Sequence, residues 1–217
     1  MKITILSLFP QMFAPLEHSI IRRARDAGHL QIEIVDFRDY TTDKHRRVDD
    51  IAFGGGAGMV LSAQPIVDCV MAVDPNHTAH RIFLTPAAKT LTQDRVVELS
   101  KKSHLLLLCG HYEGVDQRAI DLCFDEVLSI GEYVLTGGEI PAMVVVDAVA
   151  RYVDGVISPE SLENESHTNG MLEHPQYTRP REFRGLTVPD VLLSGNHAAI
   201  KKWQADESAR ITKQIRG

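Results

Sequence analysis

The chain has 217 residues and a mass of 24.1 kDa, with 44% hydrophobic and 24% charged residues. This is the composition of a soluble globular protein and excludes a disordered chain. The formal net charge of −6 argues against a protein that coats nucleic acid, because such domains are usually basic. Three cysteines without CxxC spacing argue against a disulfide framework or zinc knuckle and favour reduced thiols in the cytosol.

Strands and helices are predicted to alternate along the first three quarters of the chain. In chain order the pattern predicts a strand at 2–9, a helix at 13–27, a strand at 30–37, a polar loop at 38–50, a glycine-rich loop at 53–58, a helix from Pro65, a strand at 81–84, a helix at 92–102, a strand at 105–109, a helix at 116–123, a strand at 126–130 and an apolar helix at 140–153. The first strand is apolar on both faces, which is typical of a buried parallel sheet, and the second strand alternates. We therefore predict an α/β domain.

The amino-acid composition of the chain changes after residue 157. Residues 158–170 are polar and acidic and read as a flexible linker. A long helix is predicted from His197 to Ile215 in the segment that follows. The N-terminus reads as a strand and not as a signal peptide. The longest apolar run, 143–150, is too short to span a bilayer, so no membrane partner is expected.

Three turn-like segments follow predicted strands, at 84–88, 109–114 and 129–138. Ligands of open α/β sheets bind at the carboxyl ends of strands, and glycine lets a ligand approach the backbone closely. The three loops therefore predict one pocket lined by backbone groups, although each could also be a simple tight turn. The chain has no P-loop and no GxGxxG after the first strand, and its ten histidines show no metal-ligand spacing, so no metal site is predicted.

Several charged residues are candidates for chemistry at or near such a pocket. They are Glu113, Asp116, Arg118, Glu132, Asp147, Arg151 and Glu165. Asp147 and Arg151 are four residues apart on one predicted helix, so a plain ion pair is an alternative explanation. Glu165 would ordinarily be a solvated surface carboxylate.

An ordered set of motifs makes the chain resemble a known family. The motifs are 7–10 (SLFP), 48–50 (VDD) with 54–59 (GGGAGM), 109–118 (CGHYEGVDQR), 129–135 (SIGEYVL), 137–142 (GGEIPA), 177–180 (YTRP) and 188–197 from Val-Pro to Leu-Ser-Gly-Asn-His. Together they resemble the bacterial tRNA (guanine-N1)-methyltransferase family, the TrmD family, over nearly the whole chain.

The resemblance implies a fold, an architecture and a reaction. The fold is of the SPOUT class, an α/β fold whose parallel sheet is flanked by helices and whose C-terminal part forms a trefoil knot. Residues 1–157 would bind S-adenosylmethionine, 158–170 would be a flexible linker and 171–217 a small helical tRNA-binding domain. The active site would be shared across a homodimer in the cytoplasm. The reaction is methylation of N1 of the guanine 3′ of the anticodon, tRNA position 37.

Site residues follow by similarity. The methyl donor would contact Phe83, Leu84, Thr85, Pro86, Gly110, Tyr112, Ser129, Ile130, Gly131, Tyr133, Leu135, Gly137, Gly138 and Pro141. Arg151 matches the family arginine that stabilises negative charge on O6 of guanine, and Glu113 matches a glutamate near the target nucleotide. Glu165 stands where the family has its proposed base, an aspartate, and removal of the N1 proton suits a carboxylate.

Charge is distributed unevenly between the two parts of the chain. Residues 1–157 carry −6, residues 158–170 carry −3 and residues 171–217 carry +3. The expected phosphate contacts are Lys44, Arg46, Arg47, Arg179, Arg181, Arg184, Lys201 and Lys202. The family's reported magnesium dependence makes Mg²⁺ a second candidate cofactor, for which the sequence names no ligands.

Three alternative functions remain open from the sequence. The first is another SPOUT RNA methyltransferase that acts on a different base. The second is a non-catalytic RNA-binding module on the same scaffold, against which Arg151, Glu113 and the carboxylate of Glu165 argue. The third is a nucleotide-dependent oxidoreductase, which the missing dinucleotide motif disfavours.

Overall fold

The computed structural model describes residues 1–162, 166–167 and 170–216, which form two compact units, Met1–Ile157 and Ser158–Gly217. The strands of the first unit are β1 Lys2–Ser7, β2 Gln31–Asp36, β3 Asp49–Asp50, β4 Val60–Leu61, β5 His80–Leu84, β6 His104–Cys109 and β7 Glu126–Leu128. Its α-helices are α1 Ser19–Asp26, α2 Ala63–Val73, α3 Gln93–Ser100, α4 Gln117–Cys123 and α5 Glu139–Ala150. Two 3₁₀ helices cover Pro10–Glu17 and Phe37–Tyr40.

A parallel sheet in the order β2-β1-β6-β5-β7 forms the centre of the first unit. The four leucines and the cysteine of β6 are completely buried and alternate between the two faces of the sheet. Helices α1, α3 and α5 cover one face, and α2 and α4 cover the other. The predicted α/β fold with a parallel sheet flanked by helices is confirmed. The two-sided burial explains why the central strand has no polar alternation.

The first unit departs from the sequence-based elements most clearly in two places. The predicted helix at 13–27 is divided into a 3₁₀ helix and α1, because Pro15 has no N–H for an α-helical bond and Ser19 adopts a positive φ of 55°. The predicted loop at 38–50 includes a 3₁₀ turn and β3, which pairs antiparallel with β4. Two-residue strands are too short for alternation to reveal.

The second unit contains helices α6 Pro159–Leu162, α7 Asp190–Leu193 and α8 His197–Arg216. It also contains an antiparallel ribbon of β8 Glu182–Phe183 and β9 Leu186–Thr187, which the sequence did not predict beside the expected helix. The ribbon turns through Arg184 and Gly185, both with positive φ, and one glycine in a polar segment was too weak a signal to predict it. The segment predicted as a linker begins with α6, and its residues 163–165 and 168–169 lie outside the described residues.

The three cysteines are buried free thiols in the described structure. Burial raises the pKa of Cys69 to about 12 and raises that of Cys109 well above its usual value. These thiols are therefore neutral at physiological pH and serve as small apolar side chains. Among the described helices, none has the length and apolar character that a membrane crossing would require.

Candidate functional site

A cavity of about 350 Å³ lies where β5, β6 and β7 end. Parallel strands place their carboxyl ends at the same edge of the sheet, so the loops after Leu84, Cys109 and Leu128 meet there. A cavity of this size matches a small-molecule site. The lining residues are Phe83, Leu84, Thr85, Pro86, Ala87, Gly110, His111, Tyr112, Glu113, Gly114, Leu128, Ser129, Ile130, Tyr133, Val134, Leu135, Thr136, Gly137, Gly138 and Pro141.

The cavity brings together thirteen of the fourteen residues predicted for the methyl donor, all of which the structure describes. Gly131 lies outside the lining, because the ring of Tyr133 packs over it and a Cβ at Gly131 would overlap that ring. Sequence reasoning missed Ala87, His111, Gly114, Leu128, Val134 and Thr136 as lining residues. All of them lie in or next to the three predicted loops, so the loops themselves were the available signal.

Backbone hydrogen bonds between loops shape the cavity. The amide of Gly138 donates to the carbonyl of Gly110 at 2.9 Å, and the amide of Thr85 donates to the carbonyl of Leu128 at 2.9 Å. A Cβ at Gly138 would lie 2.5 Å from the Cα of Cys109, closer than any side chain allows. Glycine is therefore required at Gly138 for the two loops to touch.

Glu113 reaches the cavity from the loop after β6. Its amide donates to the carbonyl of Met59 at 2.9 Å, and its side chain packs against Gly58, so the glycine-rich loop lies beside it. The neighbouring Tyr112 holds a positive φ of 59°, a costly conformation for a tyrosine. Strain of this kind is typical of functional loops, and it aims Tyr112 at the cavity.

A buried carboxylate lies next to the cavity, and sequence reasoning did not single it out. Glu139 begins α5 and is completely shielded from solvent. Its Oε1 accepts a hydrogen bond from Ser7 Oγ at 2.6 Å, and its Oε2 lies 2.7 Å from His111 Nε2. The signal that could have found it is a carboxylate in the first turn of a largely apolar helix.

Most of the remaining charged candidates lie away from the cavity lining. Arg151 is at the end of α5, where its amide donates to the carbonyl of Asp147 at 3.4 Å. Asp116 caps α4, and its carboxylate pairs with Arg118 at 2.6 Å, which lowers the pKa of Asp116. This pair therefore has a structural explanation. Glu132 is exposed, and Glu165 lies outside the described residues.

The basic residues predicted to contact phosphate are all exposed, and several already have partners. In the first unit, Arg46 pairs with Asp39, and Arg47 pairs with Asp43 at 2.9 Å. In the second unit, Arg181 pairs with Asp190 at 2.8 Å. Arg184 lies over the ring of Phe183, 5.3 Å from its centroid. The remaining members of the set are Lys44, Arg179, Lys201 and Lys202.

The cavity suits a ligand that is partly aromatic and not anionic. Its walls are apolar side chains and glycine backbone, which can hold a flat ring and read its edge through N–H and C=O groups. No lysine or arginine occurs among its lining residues, all of which are described, and Glu113 contributes a carboxylate. Within the described part of the chain, no cluster of histidine, cysteine and carboxylate side chains could hold a metal ion.

Comparison with known proteins places the whole chain beside one group of enzymes. The family model for tRNA (Guanine-1)-methyltransferase TrmD matches residues 1–217. A tRNA (guanine-N(1)-)-methyltransferase of Clostridium perfringens strain SM101 is 54% identical over 217 residues, which is all of this chain and 92% of the relative. Enzymes with the same name from Clostridium botulinum strain 657 and Alkaliphilus oremlandii are each 52% identical, over 100% and 98% of this chain and 90% and 89% of the relatives.

Proposed function

The chain belongs to the tRNA (guanine-N1)-methyltransferase family, and from this we propose that it is an enzyme that methylates N1 of guanine in tRNA. The observation that carries the proposal is the match of the family over every residue of the chain. We further propose that the target is the guanine 3′ of the anticodon, position 37, and that the methyl donor is S-adenosylmethionine.

The cavity supports the proposed donor site. Its apolar walls fit an adenosine, and its lack of lysine and arginine fits a donor that carries a positive sulfonium. We propose that the donor is held by the fourteen residues named from the sequence, with Gly131 acting through the turn it forms. In that turn the amide of Gly131 donates to Ser129 Oγ at 3.2 Å. Mg²⁺ remains a proposed second cofactor without assigned ligands.

We propose a division of labour among three charged residues. N1 of guanine carries a proton and becomes nucleophilic only when that proton leaves, so Glu165 is proposed as the base. Negative charge then builds on O6, and the guanidinium of Arg151 is proposed to meet it with paired N–H groups. Glu113, at the cavity, is proposed to position the target nucleotide.

The proposed architecture is a knotted homodimer. The bond between Gly138 and Gly110 ties together the two loops that we propose to take part in a SPOUT-type trefoil knot. Exposed apolar side chains on the first unit support a subunit interface: Phe9 and Met12 are each 40% exposed, Ile140 44% and Val144 43%. We propose that each active site uses residues of both subunits, in the cytoplasm.

The exposed basic residues named above are the proposed tRNA contacts. Those between residues 171 and 217 fit the net charge of +3 of that segment. Arg46, Arg47 and Arg181 would exchange their present carboxylate partners for phosphates. Because these pairs are exposed, breaking them costs little.

Methyl transfer to defined transcripts tests the proposed function directly. With labelled S-adenosylmethionine, a transcript with guanine after the anticodon is expected to accept one methyl group at N1. A matched transcript with adenine at that position is expected to accept none. Equal labelling of both transcripts would assign a different target base, and binding of NAD in place of the donor in calorimetry would favour an oxidoreductase.

The proposed role of Arg151 predicts a split between rate and binding. Arg151→Ala is expected to lower the single-turnover rate of methylation by about 10²–10³-fold, the usual effect of removing one donor to an oxyanion. Calorimetry with S-adenosylmethionine is expected to show less than a threefold change in Kd. Equal losses of rate and affinity would instead indicate a structural role at the end of α5.

A further inference from the structure

Glu139 is a buried carboxylate to which the proposed mechanism assigns no role. Ser7 Oγ accepts the amide hydrogen of Phe9 at 2.9 Å and so directs its own hydrogen to Glu139 Oε1. His111 Nε2 lies 2.7 Å from Oε2, within hydrogen-bond distance. Both carboxylate oxygens of Glu139 therefore have a polar partner.

Among the described residues, the only side chain that could balance the charge of Glu139 in an ion pair is His111. Within the described residues, neither lysine nor arginine forms an ion pair with it, and its recorded partners are Ser7 and His111. Its position in the first turn of α5 provides partial compensation from the helix dipole. The Ser7–Glu139–His111 cluster therefore contains one buried carboxylate and neither lysine nor arginine.

The backbone of Gly137 and the imidazole of His111 separate Glu139 from the cavity. Gly137 lines the cavity, and a Cβ on it would lie 2.6 Å from Glu139 Oε2. His111 also lines the cavity. Cys109 lies against Gly138. Its pKa is raised by burial and further by the charge of Glu139, so this thiol stays neutral and adds no charge.

The burial of Glu139 makes its field stronger than that of the other carboxylate. Glu113 is exposed, where water screens its charge. The carboxylate of Glu139 is surrounded by protein, where the effective dielectric constant is lower. The carboxylate of Glu139, which lies behind Gly137, is therefore the main source of negative potential at the cavity.

The methyl donor and its product differ in charge at one atom. When the methyl group leaves S-adenosylmethionine, sulfur keeps the bonding electron pair and the sulfonium becomes a neutral thioether. Resting on the proposed function, we propose that the Ser7–Glu139–His111 cluster is an electrostatic specificity element that favours the cationic donor over the neutral product. It thereby promotes loading of the donor and release of S-adenosylhomocysteine.

Calorimetry on Glu139→Gln tests the proposal. Glutamine keeps the shape, accepts from Ser7 and can donate to His111 after a change of tautomer, so mainly the charge is lost. Affinity for S-adenosylmethionine is expected to fall on the order of tenfold, while affinity for S-adenosylhomocysteine changes less than threefold. Equal losses for both ligands would overturn the inference and leave the proposed function standing.

A pair of substitutions at His111 tests the same charge without altering Glu139. His111→Gln keeps a neutral N–H donor to the carboxylate and is expected to retain the preference for the donor. His111→Lys places a permanent cation beside Glu139 and is expected to abolish that preference. Identical preferences in the two variants would contradict the inference. If the unmodified protein binds neither ligand, the proposed function itself fails.

Discussion

Replacing Glu165 by glutamine is expected to lower the single-turnover rate of tRNA methylation by about 10²–10⁴-fold, the range that a general base contributes. A glutamine amide cannot accept the N1 proton of guanine, so the nitrogen lone pair stays unavailable for attack on the methyl group. Donor binding does not depend on this proton, and calorimetry with S-adenosylmethionine is expected to give a Kd within threefold of the unmodified protein.

Neighbouring substitutions separate the role of a base from a general loss of charge. Glu163→Gln removes a carboxylate from the same segment and is expected to methylate at the normal rate. Glu165→Asp restores the residue type usual in the family and is expected to keep activity within about tenfold, since the acid–base chemistry is conserved. Near-normal single-turnover methylation by Glu165→Gln would remove Glu165 from the mechanism.

The second large effect is expected on the stability of the fold, near the amino-terminal ends of the strands and away from the cavity. Arg81, on β5, is 3% exposed and its Nε donates to Asp74 Oδ2 at 2.9 Å. Arg81→Met would leave the buried carboxylate of Asp74 without its cation. Removing one partner of a buried pair typically costs about 3–5 kcal/mol. Urea denaturation is expected to show this loss in the free energy of unfolding.

A matched exposed pair provides the control for Arg81. Arg118→Met breaks the surface pair with Asp116 and is expected to cost less than about 1 kcal/mol. Equal costs for Arg81→Met and Arg118→Met would show that burial does not decide the strength of these pairs.

Acid titration of stability tests the same site in the unmodified protein. Burial opposes the ionisation of Asp74, but hydrogen bonds from the Thr78 amide and hydroxyl and from Arg81 outweigh it and lower the pKa to about 2. A folded-state pKa below the usual value of 3.8 means that Asp74 contributes stability above pH 4, and this contribution is lost as the pH falls towards 2. Asp74→Asn is expected to flatten that part of the stability profile.

The sheet and the site loops were predictable because their physical causes are local. Strand β6 reads as an unbroken apolar run, and a strand buried on both faces requires one. The three cavity loops follow strand ends directly, and chain direction in a parallel sheet brings such ends together. The loops at the strand ends therefore predicted one shared pocket, and the resemblance to the family supplied thirteen of its lining residues.

The Ser7–Glu139–His111 cluster was not predictable, because its causes are not local. Ser7 and Glu139 are 132 residues apart, and only the register of the folded chain brings them within hydrogen-bond distance. The hydrophobic periodicity and composition of α5 indicate that the helix is largely apolar, but they do not indicate which side chains Glu139 contacts. The ribbon of the second unit was not predicted for a different reason, because its strands have only two residues each.

The hydrogen bond between Ser7 and Glu139 can form only late in the synthesis of the first unit. A nascent chain leaves the ribosome N-terminus first, so β1 and β2 are available to pair long before residue 139 has been made. The wall formed by Gly137 and Gly138 is among the last parts of the first unit to emerge. A ligand stabilises only a chain that can bind it, so any ligand of this cavity protects the finished unit and gives no help to shorter nascent chains.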